Sequence, residues 1–359
     1  MKFIFFLLFL PLFFTGVGQV PLYEYLDIKK TLTVPEGINS ERSVVVILVP
    51  EKQGDIPRVG NWEDPSIKLH KAFATMGVDV VMYINHYDLS VNENSKDAYA
   101  ELLSKRDIKN IIFLTEKENS YQLLIAPFNN TSTFIDHESD LFYLERPLLS
   151  EVLLQTGREI KRADNEIENF LIPSKPTFVS GISIVEKSLL KNYPGILRRS
   201  TLSVERFEKM EIPAAASEDV LKKIERYNLV IEQKNALLDT LMKSYPYKYE
   251  LIDPLSDEDL LRQRRQFVLR SISGQAKTLR EMLDYKVSPN ETDFISVIPI
   301  LPDQTRAKPI PKDALVHKFY IKQNISKNIH VGEWDADIEW VDALNNMIGN
   351  LIQEHKVDR

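Results

Sequence analysis

The sequence contains no cysteine. That excludes disulfide bridges, thiolate metal sites and a lipid-modified cysteine, so packing must hold the chain together. Positive charge is not in excess either. Lys and Arg number 45 against 52 Asp and Glu, giving a net charge of −7 and a pI near 5.6, a balance that disfavours binding of a nucleic-acid backbone as the main role. Beyond Phe14 there is no apolar run of the ~20 residues that a bilayer span needs. The six histidines, His70, His86, His137, His317, His330 and His355, form no H-E-x-x-H or i, i+4 ligand pair. No G-x-S-x-G elbow occurs; Ser180 and Ser183 flank Gly181 at the wrong spacing for one.

What is present begins at the amino end. "MKFIFFLLFLPLFFTGVGQ" has one basic residue, Lys2, an apolar run from Phe3 to Phe14, small Gly16 and Gly18, and then polar Gln19. This is the pattern of a secretory signal peptide over residues 1–18. It predicts a mature chain starting at or near Gln19, a periplasmic or secreted location, and no transmembrane anchor after cleavage. Hydrophobic residues make up 43% of the chain, which argues for a folded protein. The remaining length of about 340 residues leads to an expectation of two domains.

Strands and helices alternate through both halves. In a first α/β module over 19–172, "SVVVILVP" and "VDVVMYIN" are continuous β-branched runs of the kind buried on both faces. Between them Asp64-Pro65 marks a helix start, Leu69, Ala72, Phe73 and Met76 form one apolar face, and Gly77 marks the stop. A helix around Asp97–Ser104, the strand "NIIFLTE", a hairpin return "SYQLLIAPF" and a helix through Leu148–Ile160 follow. In a second module over 204–359 the same order recurs: "RFEKMEIP" as first strand, a long helix, "YKYELID", a helix opened by Ser256, "FVLRSIS", "DFISVIPIL", "VHKFYIKQ" and a final helix. One extra helix, Gln275–Tyr285, has no counterpart in the first half. Residues 173–203, with three prolines, form a linker region with some strand of its own, "FVSGISIV". The fold class expected is α/β, mixed sheets covered by helices, in two tandem, similarly ordered modules after a signal peptide.

The extra helix opens with "SISGQAKT", Ser271–Thr278, in the strand–loop–helix context of the phosphate-binding pattern G-x-x-x-x-G-K-[ST]. Lys277 and Thr278 match, and Gly274 stands at the middle glycine common in such loops. Ser271 and Ala276 replace the two defining glycines. Backbone N–H groups wrap a phosphate only where no side chain intrudes, so Ala276 is the more serious departure. A second carboxylate would come from Asp253, ending "YELID", or Asp303, ending "ISVIPILPD". The stretch is either a degenerate phosphate site of Ser271, Gly274, Lys277 and Thr278 serving ATP and Mg2+, or a strand-to-helix turn in which Gly274 relieves the backbone and Lys277 is solvated. Among the remaining polar features, Asp136 and Glu138 of "DHE" could hold a hard cation, but read first as a solvated turn. Arg262, Arg264 and Arg265 could meet an acidic partner or phosphate, but read first as a charged outer face balanced by Asp257, Glu258 and Asp259. Asn129-Asn130-Thr131, Asn290-Glu291-Thr292 and Asn324-Ile325-Ser326 match the glycosylation sequon.

"QVPLYEYLDIKKTLTVPEGINSERSVVVILVP", directly after a Phe/Leu-rich signal, resembles uncharacterised exported proteins of Bacteroidota, some of which carry an NTPase label. The tandem α/β order is similar to periplasmic modules such as the TolB amino-terminal domain and the CsgG family; this likeness concerns architecture and implies no activity. The function expected is a non-catalytic binding or scaffold role in the periplasm, without cofactor or metal, toward an envelope protein or a small ligand. The alternative is a nucleotide-binding protein or NTPase that uses Ser271–Thr278.

Overall fold

The computed structural model describes residues 21–164, 166–169, 171–181, 188–213, 216–301 and 304–357. The signal-peptide reading of 1–18 lies outside them, as do Ser183 and Asp303. The first module runs β1 (Lys29–Thr31), β2 (Arg42–Leu48), β3 (Pro50–Gln53), β4 (Ile56–Val59), α1 (Glu63–Thr75), β5 (Asp79–Asn85), α2 (His86–Leu89), α3 (Glu93–Lys105), β6 (Ile108–Lys117), β7 (Ser120–Pro127), β8 (Asp140–Arg146) and α4 (Leu149–Ala163). β2 shows why the continuous apolar runs become central strands. Val44 and Val46 enter one core with Leu103 of α3, while Val45 and Ile47 enter another with Phe73 of α1 and Val152 of α4. A strand with helices on both faces needs no polar alternation. α1 begins at Glu63, one residue before Asp64, and the Asn61 side chain accepts the Asp64 N–H at 3.3 Å.

β9 (Phe178–Val179) and β10 (Leu189–Leu190) lie in the stretch expected to be a linker. The second module continues with β11 (Leu202–Glu205), α5 (Glu218–Met242), β12 (Tyr249–Ile252), α6 (Asp257–Arg262), β13 (Phe267–Gln275), α7 (Ala276–Met282), β14 (Asp293–Leu301), β15 (Gln304–Pro311), β16 (Leu315–Gln323), β17 (Ile329–His330) and α8 (Trp340–Glu354). α5 and α8 cover one face of its sheet through Leu238, Met242, Leu344 and Leu351. α6, α7 and the β14–β15 hairpin cover the other.

The two sheets have the same topology. The first is ordered β1-β8-β7-β6-β2-β5, with β9 added at the end, and the second β10-β17-β16-β13-β11-β12. Directions correspond pair by pair: parallel for β1/β8 and β10/β17, antiparallel through the next two pairs, then parallel for β6/β2/β5 and β13/β11/β12. Each starts with an edge strand and a 3-10 turn, at 36–39 and 195–198. The second repeat therefore begins at β10, inside the expected linker, and β11 straddles the expected boundary at 203/204.

Each repeat also carries insertions where its parallel strands end: the β3–β4 hairpin and α2 in the first, α7 and the β14–β15 hairpin in the second. The modules meet largely through elements at these ends. The Val59 N–H donates to the Asp313 carbonyl (2.9 Å), Arg58 pairs with Asp313 (3.1 Å), and the Ser273 N–H donates to the Val91 carbonyl (3.2 Å). Val91 itself sits in the apolar core of the second module. Asp88 of α2 is only 5% exposed. It receives the Gly181 backbone N–H and faces Lys277 and Glu281, and burial pushes its carboxyl up to about 7.

One expected strand is displaced. "RFEKMEIP" is not strand: β11 lies just upstream, and 206–213 carries no sheet pairing beyond the Arg206 N–H, which donates to Ile252. The segment is nonetheless held at regular intervals. Asn235 of α5 accepts the Phe207 N–H (2.8 Å) and donates to its carbonyl (3.0 Å), while Asn228 does the same at Met210 (2.8 and 2.9 Å). Two helical turns rise about 10.5 Å, and three extended residues span about 10 Å, so the spacings match. Two asparagines of a helix thus stand in for a neighbouring strand.

Candidate functional site

The stretch Ser271–Thr278 contains no loop. Ser271 to Gln275 are strand, paired in unbroken register with β16 from Ser271↔Phe319 to Gln275↔Leu315, and α7 begins at the next residue. The helix's first donors are already used: the Ala276 N–H bonds to Ala314 (2.9 Å) and the Lys277 N–H to Lys312 (2.9 Å). Thr278 is 6% exposed and its hydroxyl donates to the Gln275 side chain at 3.2 Å. Lys277 pairs with Glu281 at 3.4 Å. Gly274 has an ordinary extended φ, and a Cβ there would meet Leu279 and Val91 at 3.4 Å, so no turn requires it. The geometry brings the four residues together as sheet and helix, without a concavity in which backbone N–H groups converge. Asp253, at the end of β12, lies across β11 from them.

In a sheet wound this way, ligands bind outside the carboxyl ends of the parallel strands, beside the point where the strand order reverses. In the second module that point lies between β11 and β13, and it is filled by the protein's own charges. Arg270 donates to both Glu205 oxygens (3.0 and 3.1 Å), to Asp257 (3.0 Å) and to the Leu255 carbonyl (3.3 Å). Lys322 closes the network on Asp257. Burial pushes the Asp257 carboxyl up, but Lys322 and Arg270 outweigh it and hold it below its usual value.

Next to this plug, at the carboxyl ends of β11 and β12, is an open cleft of about 560 Å3. One wall is Arg206–Lys209, pinned by Asn235; the other is Glu232 and Asn235 of α5, with Asp253 and Pro254 at the end. Its rim charges are exposed pairs, Arg206 with Asp253 (3.4 Å) and Lys209 with Glu232 (2.6 Å). Behind Phe207, Lys234 is 6% exposed, its Nζ lies 5.5 Å from the ring centroid, and burial pushes its pKa down to about 8. The docking of the first module covers the carboxyl end of β13 and leaves this cleft free.

Several of the other polar candidates have structural partners. Arg262 pairs with Glu258 and Asp259, and Arg265 pairs with Glu250 (2.8 Å). His70 bonds to the Pro173 carbonyl (2.8 Å), and His355 bonds to Tyr247 (2.9 Å). Burial pushes His317 down to about 3, so it is neutral. Asp136 accepts from Asn129 at 3.0 Å. Among the described residues no group of three or more His, Asp or Glu is placed to hold a metal ion, and no helix is long and apolar enough to cross a membrane. No model of a known protein family matches the chain, and no curated protein matches it either. The sequence reading missed the cleft. Its only sequence signal is the i, i+7 spacing of Asn228 and Asn235 on a helix otherwise patterned for burial, preceded by an unpartnered-looking extended segment.

Proposed function

We propose that the chain is an exported, non-catalytic binding protein of the periplasm or cell exterior, and that its ligand enters the cleft between Arg206–Lys209 and α5. The observation that carries this reading is the cleft's place: it is open at the carboxyl ends of two parallel strands, and its wall is fixed by two asparagines. Its volume of about 560 Å3 falls in the ~300–1,000 Å3 range of small-ligand sites. Charges of both signs alternate around the rim, with Phe207 between them. That composition suits a short peptide, whose carboxylate would replace Asp253 on Arg206 and whose amine would replace Lys209 on Glu232. Export is supported by the pattern of residues 1–18.

Calorimetry with unblocked di- and tripeptides is expected to give a saturable isotherm, weakened about tenfold by Arg206→Ala, since a charge-assisted contact is worth that much. No saturable binding of such peptides to the wild type would refute the reading. ATP with magnesium is expected to give no heat. A micromolar isotherm lost in Lys277→Ala would replace this reading with nucleotide binding. Intact mass of the exported protein is expected to place its first residue at or near Gln19; an uncut chain retained in the inner membrane would refute export.

A further inference from the structure

The second module contains an ion pair with no solvent at either end. Lys318 of β16 and Asp335, in the segment leading to α8, both have fully buried side chains, with Nζ 2.6 Å from Oδ1. The amine's surroundings are fully specified. Its other two acceptors are the Phe319 carbonyl at 3.1 Å and the Val331 carbonyl at 2.6 Å, which with Asp335 account for all three N–H bonds. On the acid side, Asn350 Nδ2 donates to Oδ2 at 3.0 Å. Trp334, Ala336 and Val331 supply apolar packing around the segment.

A carboxylate so far from water is poorly stabilised relative to the carboxylic acid, and burial pushes the Asp335 carboxyl up, toward its protonated form. Passing one proton along the 2.6 Å contact leaves an amine whose two remaining N–H bonds are held by Phe319 and Val331. Its lone pair then faces the Asp335 carboxyl group, while Asn350 polarises the opposite oxygen. These are the requirements of amide formation: an uncharged nucleophile, a protonated leaving oxygen, and a donor at the oxygen where negative charge develops.

We propose that Lys318 and Asp335 become joined by an intramolecular isopeptide bond. Lys318 Nζ bonds to Asp335 Cγ and the Cγ–Oδ1 bond breaks. Oδ1 departs as water, carrying the proton it received first and a second from the attacking nitrogen, which keeps one hydrogen as the amide N–H. Nothing is oxidised or reduced and no co-reactant is needed. In a chain without cysteine, this link would do the work of a disulfide, tying the segment before α8 to the centre of the sheet.

The test is the intact mass of the purified, folded full chain, measured after acid denaturation. The expected value is about 18 Da below that of the linear chain with the same first residue, one water having been lost. A proteolytic digest is expected to contain a branched peptide joining the segments of Lys318 and Asp335, and Lys318→Met is expected at the linear mass. A wild type at the linear mass overturns the proposal. So does a loss that persists in Lys318→Met, since the dehydration would then lie elsewhere. Should Lys318→Met fail to fold, the branched peptide of the wild type decides.

Discussion

Replacing Asp88 by Asn tests the physical account of the contact between the modules. The carboxyl is 5% exposed, and burial raises it from 3.8 to about 7, with Glu281 adding to the rise and the Gly181 N–H and Lys277 opposing it. The fold therefore prefers the protonated acid. The stability this provides is complete below the ordinary carboxyl value of 3.8 and is lost as pH rises through about 7. A rise of about three units, at about 1.4 kcal/mol each, sets a ceiling of roughly 4 kcal/mol, and relaxation around the ionised group lowers it to about 2–4 kcal/mol. Asn resembles the protonated acid in shape and can still accept the Gly181 N–H, but it never ionises. Urea unfolding of wild type and Asp88→Asn across pH 3 to 8 should show near-equal stability at the acid end. The variant should gain progressively toward pH 8. Comparing the two proteins cancels groups that shift the other way, such as Glu145, which hydrogen bonds from Gln122, Ser120 and Tyr143 hold at about 2. A difference independent of pH, or a variant less stable than wild type at pH 8, would refute the reasoning.

Three further outcomes follow from local geometry. Gly349→Ala would place a Cβ 2.3 Å from the Pro299 ring, so it should destabilise the fold by about 1–3 kcal/mol and raise hydrogen exchange in β14 and β15; an unchanged denaturation midpoint would contradict this. Gly274→Ala should be nearly neutral or slightly stabilising, because the residue is extended and its Cβ would make ordinary contacts at 3.4 Å; a loss above about 1 kcal/mol would show that the site is a strained turn after all. Asn235→Ala removes both partners of the Phe207 backbone and should expose 206–210 to proteases while costing about 1–3 kcal/mol; unchanged protection of that segment would argue against the asparagine ladder.

The sequence was most informative where one element's neighbours are dictated by its own pattern. Val44 to Ile47 had to be covered on both faces, and the helices around Leu69–Met76 and Leu344–Ile352 had to bury one stripe. These readings gave the order of elements and the fold class. Strand pairing was less accessible. β1 and β10 each pair with a strand much later in their repeat, and short edge strands carry little hydrophobic pattern, so the repeat's true start at β10 reads as linker in the sequence. "RFEKMEIP" reads as strand because local pattern reports an extended backbone and not its partner, which here is a pair of asparagine side chains. The same limit explains Ser271–Thr278: Lys277, Thr278 and a lone glycine look like a loop until β16 is seen alongside. The cleft combines residues from β11's exit, α5 and β12's exit, so no window of sequence contains it.

The duplicated halves touch through unlike parts: the β3–β4 hairpin and α2 of the first meet β13, β16 and the Asp313 turn of the second, and the segment before β1 meets α5, with Ser217 N–H donating to Asp27 (2.6 Å) and Lys223 pairing with Glu24 (3.3 Å). Had the contact used surfaces common to both repeats, the same surface would remain free on each outer side. Chains could then add to one another without end, the hazard of any head-to-tail contact that does not close. Because the β3–β4 hairpin and α2, which the second half lacks, take part in the contact, the pairing is not one that each half can repeat on its outer side, and the connecting segment keeps the partner half at high effective concentration. Shortening that segment until the halves of one chain cannot meet would turn the same contact outward, toward the next molecule.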